Sequence, residues 1–384
     1  MTGMTMQEIE ERGHPVWAEV DLGAIRHNIR EIKRLAGPAE VMGVVKGYAY
    51  GHGNPVSAEA MLEAGASRLG VARVAEAIHL REAGISAPIH VFTQPPLRAA
   101  AALVDHDLTA TVYTLTYAET LSEAAGAAGK EVKVHVKVDT GMHRVGLPPA
   151  DLDDAVKVLA LTPHLDIEGV WSHLAVADVP DHPFTRQQLE LFADLVAVFE
   201  QAGVQPRYKH IANSAATLSL PESRLDIVRC GIAAYGLWPG PALERTADLR
   251  PALALRARAG MVKTVAKGDS LSYGLRYELP ETSRVVTVPV GYADGYDRML
   301  SGRGDVLIRG ERYRVSGTVC MDQFMVNVGD AHVEVGDVIT LVGVDGDERV
   351  TADEVATWTD TINYEVTSRI PSRVPRVYVD IEAT

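Results

Sequence analysis

Residues 41–53 read VMGVVKGYAYGHG. The apolar run Val41–Val45 ends on Lys46, and Gly47, Gly51 and Gly53 follow. A continuous apolar run bounded by turn residues is the pattern of a strand buried on both faces, which belongs to a parallel sheet covered by helices. Working outward, similar runs recur at 69–72, 89–92, 108–112, 132–138, 167–171, 208–211 and 227–229. Helical patterns separate most of them, as at 22–35, 55–64, 114–128 and 184–201. Eight alternations in roughly 220 residues match the size of an α/β (β/α)8 TIM-like barrel, typically ~250 residues; a doubly wound open sheet is the alternative.

The texture changes near residue 245. Short Val- and Thr-rich runs follow at 256–265, 284–290, 306–308, 313–319, 325–328 and 338–342, punctuated by Gly, Asp and Asn. Only 352–358 and the surroundings of Tyr364 read as helix. The expected division is a barrel over 15–245 and a mostly β C-terminal domain over 246–384, with residues 1–14 packing on the latter.

The net charge of -14 argues against nucleic acid or an anionic membrane surface as the main partner. Cys230 and Cys320 stand far apart in no C-x-x-C pair, which predicts neither a disulfide framework nor a zinc site. No metal is expected. The first fifteen residues lack the basic-then-apolar pattern of a signal peptide, and no stretch approaches a membrane span, so the expected compartment is the cytoplasm.

In a (β/α)8 barrel the C-terminal ends of the strands build the active site. Those ends carry Lys46, then Lys137 with Arg144 just beyond, then His173, Asn213-Ser214, and Arg229 with Gly231-Ile232. Taken singly, each has a plain structural use. A lysine can mark a strand's exit to water, a histidine can be structural, an arginine can sit in an ion pair, and Ser214 can cap a helix. Together they converge on one face. The loops after strands seven and eight commonly hold phosphate in such barrels, and Gly231 allows close backbone approach. A lysine at strand one opposite a phosphate site suits a phosphorylated aldehyde. Nucleotide-loop, zincin and nucleophile-elbow motifs are absent.

At these residues the sequence resembles the alanine racemases, which use pyridoxal 5′-phosphate (PLP) and join a barrel to a β domain. The resemblance runs along essentially the whole chain. It includes Val44-Val45-Lys46 with Tyr50-Gly51-His52-Gly53, residues 137–142 with Arg144, and Ser172-His173. It continues through residues 210–214, Arg229 with Gly231-Ile232, Ser272-Tyr273-Gly274, residues 291–295, residues 320–323 and Tyr364-Glu365. The resemblance implies that Lys46 carries PLP as a Schiff base and acts as one base. It implies that Tyr273 is the second base, reaching the site from the partner of a homodimer. Tyr50, Asn213, Ser214, Gly231, Ile232 and Tyr364 would hold the phosphate. Arg229 would face the pyridine nitrogen with His173 beside it, and Arg144, Met321 and Asp322 would meet the substrate. Lys137 matches a lysine often carried as a carbamate. The implied reaction is interconversion of L- and D-alanine, supplying D-alanine for peptidoglycan. The alternatives are a serine or broad-specificity racemase, and a PLP-dependent decarboxylase, against which Arg229 in place of a carboxylate speaks. Gly47-Tyr48 and His143 depart from the usual pattern.

Overall fold

The computed structural model describes residues 3–380. The chain forms two compact units. One comprises Ala24–Ala49 and Asn54–Pro251. The other is drawn from Met1–Gly23, Tyr50–Gly53 and Ala252–Thr384, of which 1, 2 and 381–384 lie outside the described residues.

The first unit is built on eight parallel strands: Glu40–Val44, Arg68–Val71, Ile89–Val91, Thr109–Val112, Val132–Lys137, Leu165–Trp171, Tyr208–His210 and Ile227–Cys230. Each pairs with the next up to the seventh, and the first also pairs with the eighth. The seventh and eighth form no ladder. Two main-chain bonds join their edges, Asp226 N–H to Lys209 O and Arg229 N–H to Ala212 O, both 3.1 Å. The barrel is thus nearly closed. Most of its strands are buried along almost their whole length, as their apolar runs require, since helices cover the outside; the sixth is buried only at its last three residues. Helix Leu22–Ala36 shows the covering logic. Ile25, Ile29 and Ile32 repeat at helical spacing and are fully buried, each contributing on the order of 2 kcal/mol. Asn28 on the same stripe is satisfied by the backbone of Ala234 and Arg250.

The second unit is mostly β. Its largest sheet runs in the order Glu311–Arg314, Asp305–Ile308, Val338–Asp345, Leu253–Arg258, Val16–Asp21 and Arg376–Val379. A second sheet pairs Met261–Val265, Ser283–Val288 and Phe324–Gly329. The run read as one element over 256–265 is therefore two strands. At Ala259 the backbone bonds to Asp337, and at Gly260 it bonds to Thr287, so the chain changes sheets there. Among the described residues no helix is long and apolar enough to cross a membrane.

Candidate active site

The C-terminal ends of the barrel strands gather most of the residues expected from the sequence. Lys46 follows the first strand, and the chain then turns left-handed through Gly47, Tyr48, Ala49 and Tyr50, with φ of 62°, 55°, 55° and 52°. Such a conformation costs a non-glycine residue roughly 1–2 kcal/mol. Two bonds brace it: the Gly47 N–H donates to Glu76 at 2.7 Å, and Asn54 Nδ2 donates to Val45 O at 2.9 Å. Runs of this kind persist only where the surroundings over-determine them, and they cluster at functional sites.

Lys46 is half-buried and makes no hydrogen bond among the described residues. Burial lowers the pKa of its amine, and the charges of Arg144 and Arg229 lower it further, against a smaller opposing pull from Glu76. Lys137 ends the fifth strand, 3% exposed, with its ammonium 4.8 Å over the Trp171 ring and no hydrogen bond among the described residues. Burial, then Arg229 and Arg144, bring it down to about 8. Arg144 itself is exposed and makes no ion pair among the described residues.

Arg229 is buried at the eighth strand. Its guanidinium donates to Ser172 O at 2.8 Å, Ile211 O at 3.0 Å, His210 Nδ1 at 3.0 Å and His173 Nδ1 at 3.2 Å. All of these partners are neutral acceptors. Beside it, Asn213 caps helix Ser214–Ser219 through the Ala216 N–H, and Ser214 Oγ accepts the Gly231 N–H at 3.0 Å. Gly231 and Ile232 are buried in the same turn.

The second unit holds the others. Tyr273 is 77% exposed and Met321 is 53% exposed. Tyr273 also sits on strained backbone, with φ of 65° at Ser272, 78° at Gly274 and 48° at Leu275. The segment bearing Met321 is clamped by residues 291–294. Tyr292 and Ala293 donate to Cys320 O and Met321 O, and a Cβ at Gly291 would stand 2.3 Å from both carbonyls. Arg373 ties Asp322 to the buried Asp294, each at 2.8 Å. Tyr50 and Tyr364, both of this unit, place their ring centroids 6.2 Å apart.

Residues 20–239 match the family model described as alanine racemase, N-terminal domain, and residues 252–378 match alanine racemase, C-terminal domain. The chain belongs to the alanine racemase family. It is 46% identical to an alanine racemase of Symbiobacterium thermophilum over 95% of this chain and 97% of that one. An alanine racemase structure from Streptomyces lavendulae superposes with a TM-score of 0.92 at 41% identity, covering 96% of this chain and 98% of the other. One from Bacillus anthracis with bound L-Ala-P gives 0.90 at 38% identity, covering 95% of each.

Glu168, His90 and His135 were not singled out from the sequence, and His210 entered only within the matching stretch 210–214, with no role of its own. His90, His135 and His210 each sit within a barrel strand, and a histidine in an otherwise apolar strand is the signal that could have found them.

Proposed function

We propose that this chain interconverts L- and D-alanine with PLP on Lys46. The barrel region 15–245 would bind the cofactor, and the β region 246–384 would supply the second base. One observation carries the reading: a half-buried, unpaired lysine amine, depressed by burial, opposite a buried guanidinium with only neutral partners. The donor set of the barrel unit fits PLP: an amine for its aldehyde, Arg229 for its pyridine nitrogen, and the Ser214–Gly231 turn for its phosphate, with Asn213 and Ile232 beside it. When bound, PLP supplies the electron sink that makes the α-proton acidic.

Racemisation removes a proton from one face and returns one to the other. Lys46 serves one face. Tyr273 serves the other, and its exposure in the single chain, with that of Met321, supports a homodimer in which Tyr273 of one copy meets Lys46 of the other. Arg229 can only donate, so His173 Nδ1 is an acceptor and His173 carries its proton on Nε2. In the proposed dimer that N–H would be the donor offered to the second copy's Tyr273. Arg144 is left to hold the substrate carboxylate, with Met321 and Asp322 supplied by the second copy. A carbamate on Lys137 would orient it, because a buried amine brought down to about 8 keeps roughly a tenth of its population unprotonated at pH 7, far more than an ordinary lysine at ~10.4, and that fraction is open to carbon dioxide. The L-Ala-P bound by the Bacillus anthracis enzyme supports an alanine-sized substrate. The product D-alanine suits cell-wall peptidoglycan.

The test is incubation of the PLP-loaded protein with L-alanine in D₂O, with Lys46→Ala and Tyr273→Phe alongside. Chiral chromatography shows D-alanine, mass spectrometry shows α-deuterium, and both variants lose inversion. No exchange in the PLP-loaded parent would overturn the reading.

A further inference from the structure

Behind the face that carries Lys46, the barrel interior holds a second polar assembly. His90, His135 and His210 are buried on the third, fifth and seventh strands, with ring nitrogens within 4.8 Å of one another. Three imidazoles so close suggest a cation site. The hydrogen bonds decide otherwise. Arg229 Nη1 lies 3.0 Å from His210 Nδ1 and can only donate, so the His210 proton sits on Nε2. That nitrogen lies 2.7 Å from His135 Nδ1, which must accept. The His135 proton is therefore on Nε2, 2.9 Å from Glu168 Oε2. His90 engages Thr111 through Nε2 at 2.8 Å. Two of the three imidazoles thus have no lone pair left for a metal. Arg229 stands at one end of the chain, and Arg68, 3.4 Å from Glu168, at the other.

We propose that Glu168, His135 and His210 form a hydrogen-bonded chain of one carboxylate and two neutral imidazoles, with one fixed tautomer at each histidine, that positions Arg229 and brings it the compensation of a carboxylate from across the barrel core. A buried guanidinium with no ionic partner is costly. A carboxylate in direct contact would cancel the positive charge that faces the pocket. With two imidazoles between them, Arg229 keeps its charge toward the pocket, while successive polarised bonds lower the cost of burying it. Burial, with Arg229 beside it, holds His210 well below its usual value, and burial lowers His135, so both rings are neutral near pH 7. The neighbouring residues are shaped around the chain. A Cβ at Gly169 would stand 2.7 Å from His135 Nδ1, and the Trp171 ring lies parallel to His210, 2° off, at 5.7 Å. The three residues are positioning residues. The link from Arg229 to the pyridine nitrogen rests on the proposed function, whereas the tautomer pattern does not.

The test begins with ¹⁵N-labelled full-length protein without cofactor. Long-range ¹H–¹⁵N NMR is expected to show both His135 and His210 as neutral Nε2–H tautomers. This arm uses the unsubstituted chain, so it stands whatever the variants do and whether or not alanine is the substrate. In the PLP-loaded protein, Glu168→Gln keeps an acceptor but removes the charge. It is expected to shift the bound cofactor's absorption band and lower kcat about 3–10-fold with KM little changed, and Glu168→Asp is expected to restore part of both. A protonated or Nδ1–H form at either histidine would overturn the proposal. So would an unchanged band and kcat in Glu168→Gln, or stoichiometric Zn²⁺ binding that moves these histidine signals.

Discussion

Arg229 and Tyr273 stand at opposite extremes. Arg229 is 4% exposed and its guanidinium spends its donors on four acceptors of its own unit, whereas Tyr273 is 77% exposed and lies on strained backbone. Around Arg229 the barrel is packed, and its hydrogen bonds are made within one unit. The β half presents its side chains outward on a braced loop, held from behind by Asp294 and Arg373. The difference teaches where each kind of damage should appear. Changes in the barrel should disturb folding and chemistry together, and changes at the β surface should disturb chemistry alone.

The largest expected effect is on chemistry in both halves. Lys46→Ala should reduce D-alanine formation roughly 10⁴-fold or more. Tyr273→Phe should block inversion while α-deuterium still enters one enantiomer, because Lys46 remains; exchange of both enantiomers in that variant would break the two-base assignment.

Stability should then separate the halves. Glu168→Ala leaves His135 Nε2–H without its acceptor in the core, while Arg68 keeps Glu40, and should cost about 2 kcal/mol. Tyr273→Ala should stay within about 0.5 kcal/mol of the parent. Urea unfolding compares them, and equal costs would erase the contrast.

The same contrast has a pH signature. Burial lowers His90, His135, His173 and His210, so below pH ~6.5 the unfolded chain takes up protons that the folded chain refuses. Stability is complete above that value and falls as pH drops, by up to about 1.4 kcal/mol per pH unit for each histidine still neutral in the fold. Glu168, held below the usual carboxylate range despite burial, adds loss only below pH ~4.5. Unfolding measured between pH 5 and 8 should show this slope equally in the parent and in Tyr273→Ala; a flat profile would contradict the neutral histidines.

The smallest expected effect runs the other way. Leu275 is 68% exposed at φ 48°, a conformation that suits glycine. Leu275→Gly should raise stability by about 0.5–1 kcal/mol in a thermal melt. A loss instead would mean that this leucine is held by packing in the single chain.

The barrel was legible because its signals are local. Each strand declares itself by an apolar run, and the candidate residues Lys46, Lys137, His173 and Arg229 lie where those runs stop, so their convergence on one face could be read directly. Val16–Asp21 was not read as a strand, because its partners, Leu253–Arg258 and Arg376–Val379, lie far along the chain and no local pattern announces them. Glu168 was invisible for a different reason. Its use depends on which histidine of another strand faces it, and that is fixed by barrel register. The left-handed turn after Lys46 was equally hidden, since Tyr48, Ala49 and Tyr50 are not residues that advertise positive φ.

The strand Val16–Asp21 also sets an order in time. It leaves the ribosome before any of the barrel strands, yet Leu253, which pairs with its Val20, is made more than two hundred residues later, and its parallel neighbour Arg376–Val379 later still. At ~5–20 residues per second, its edges stay unpaired for on the order of ten seconds or more after they emerge. All eight barrel strands are made inside that interval, so the barrel can begin to close while the largest β sheet still lacks its central ladder. A nascent chain stalled before Leu253 should therefore expose Val16–Asp21 as an open strand, the segment for which a chaperone or a stray neighbouring strand would compete.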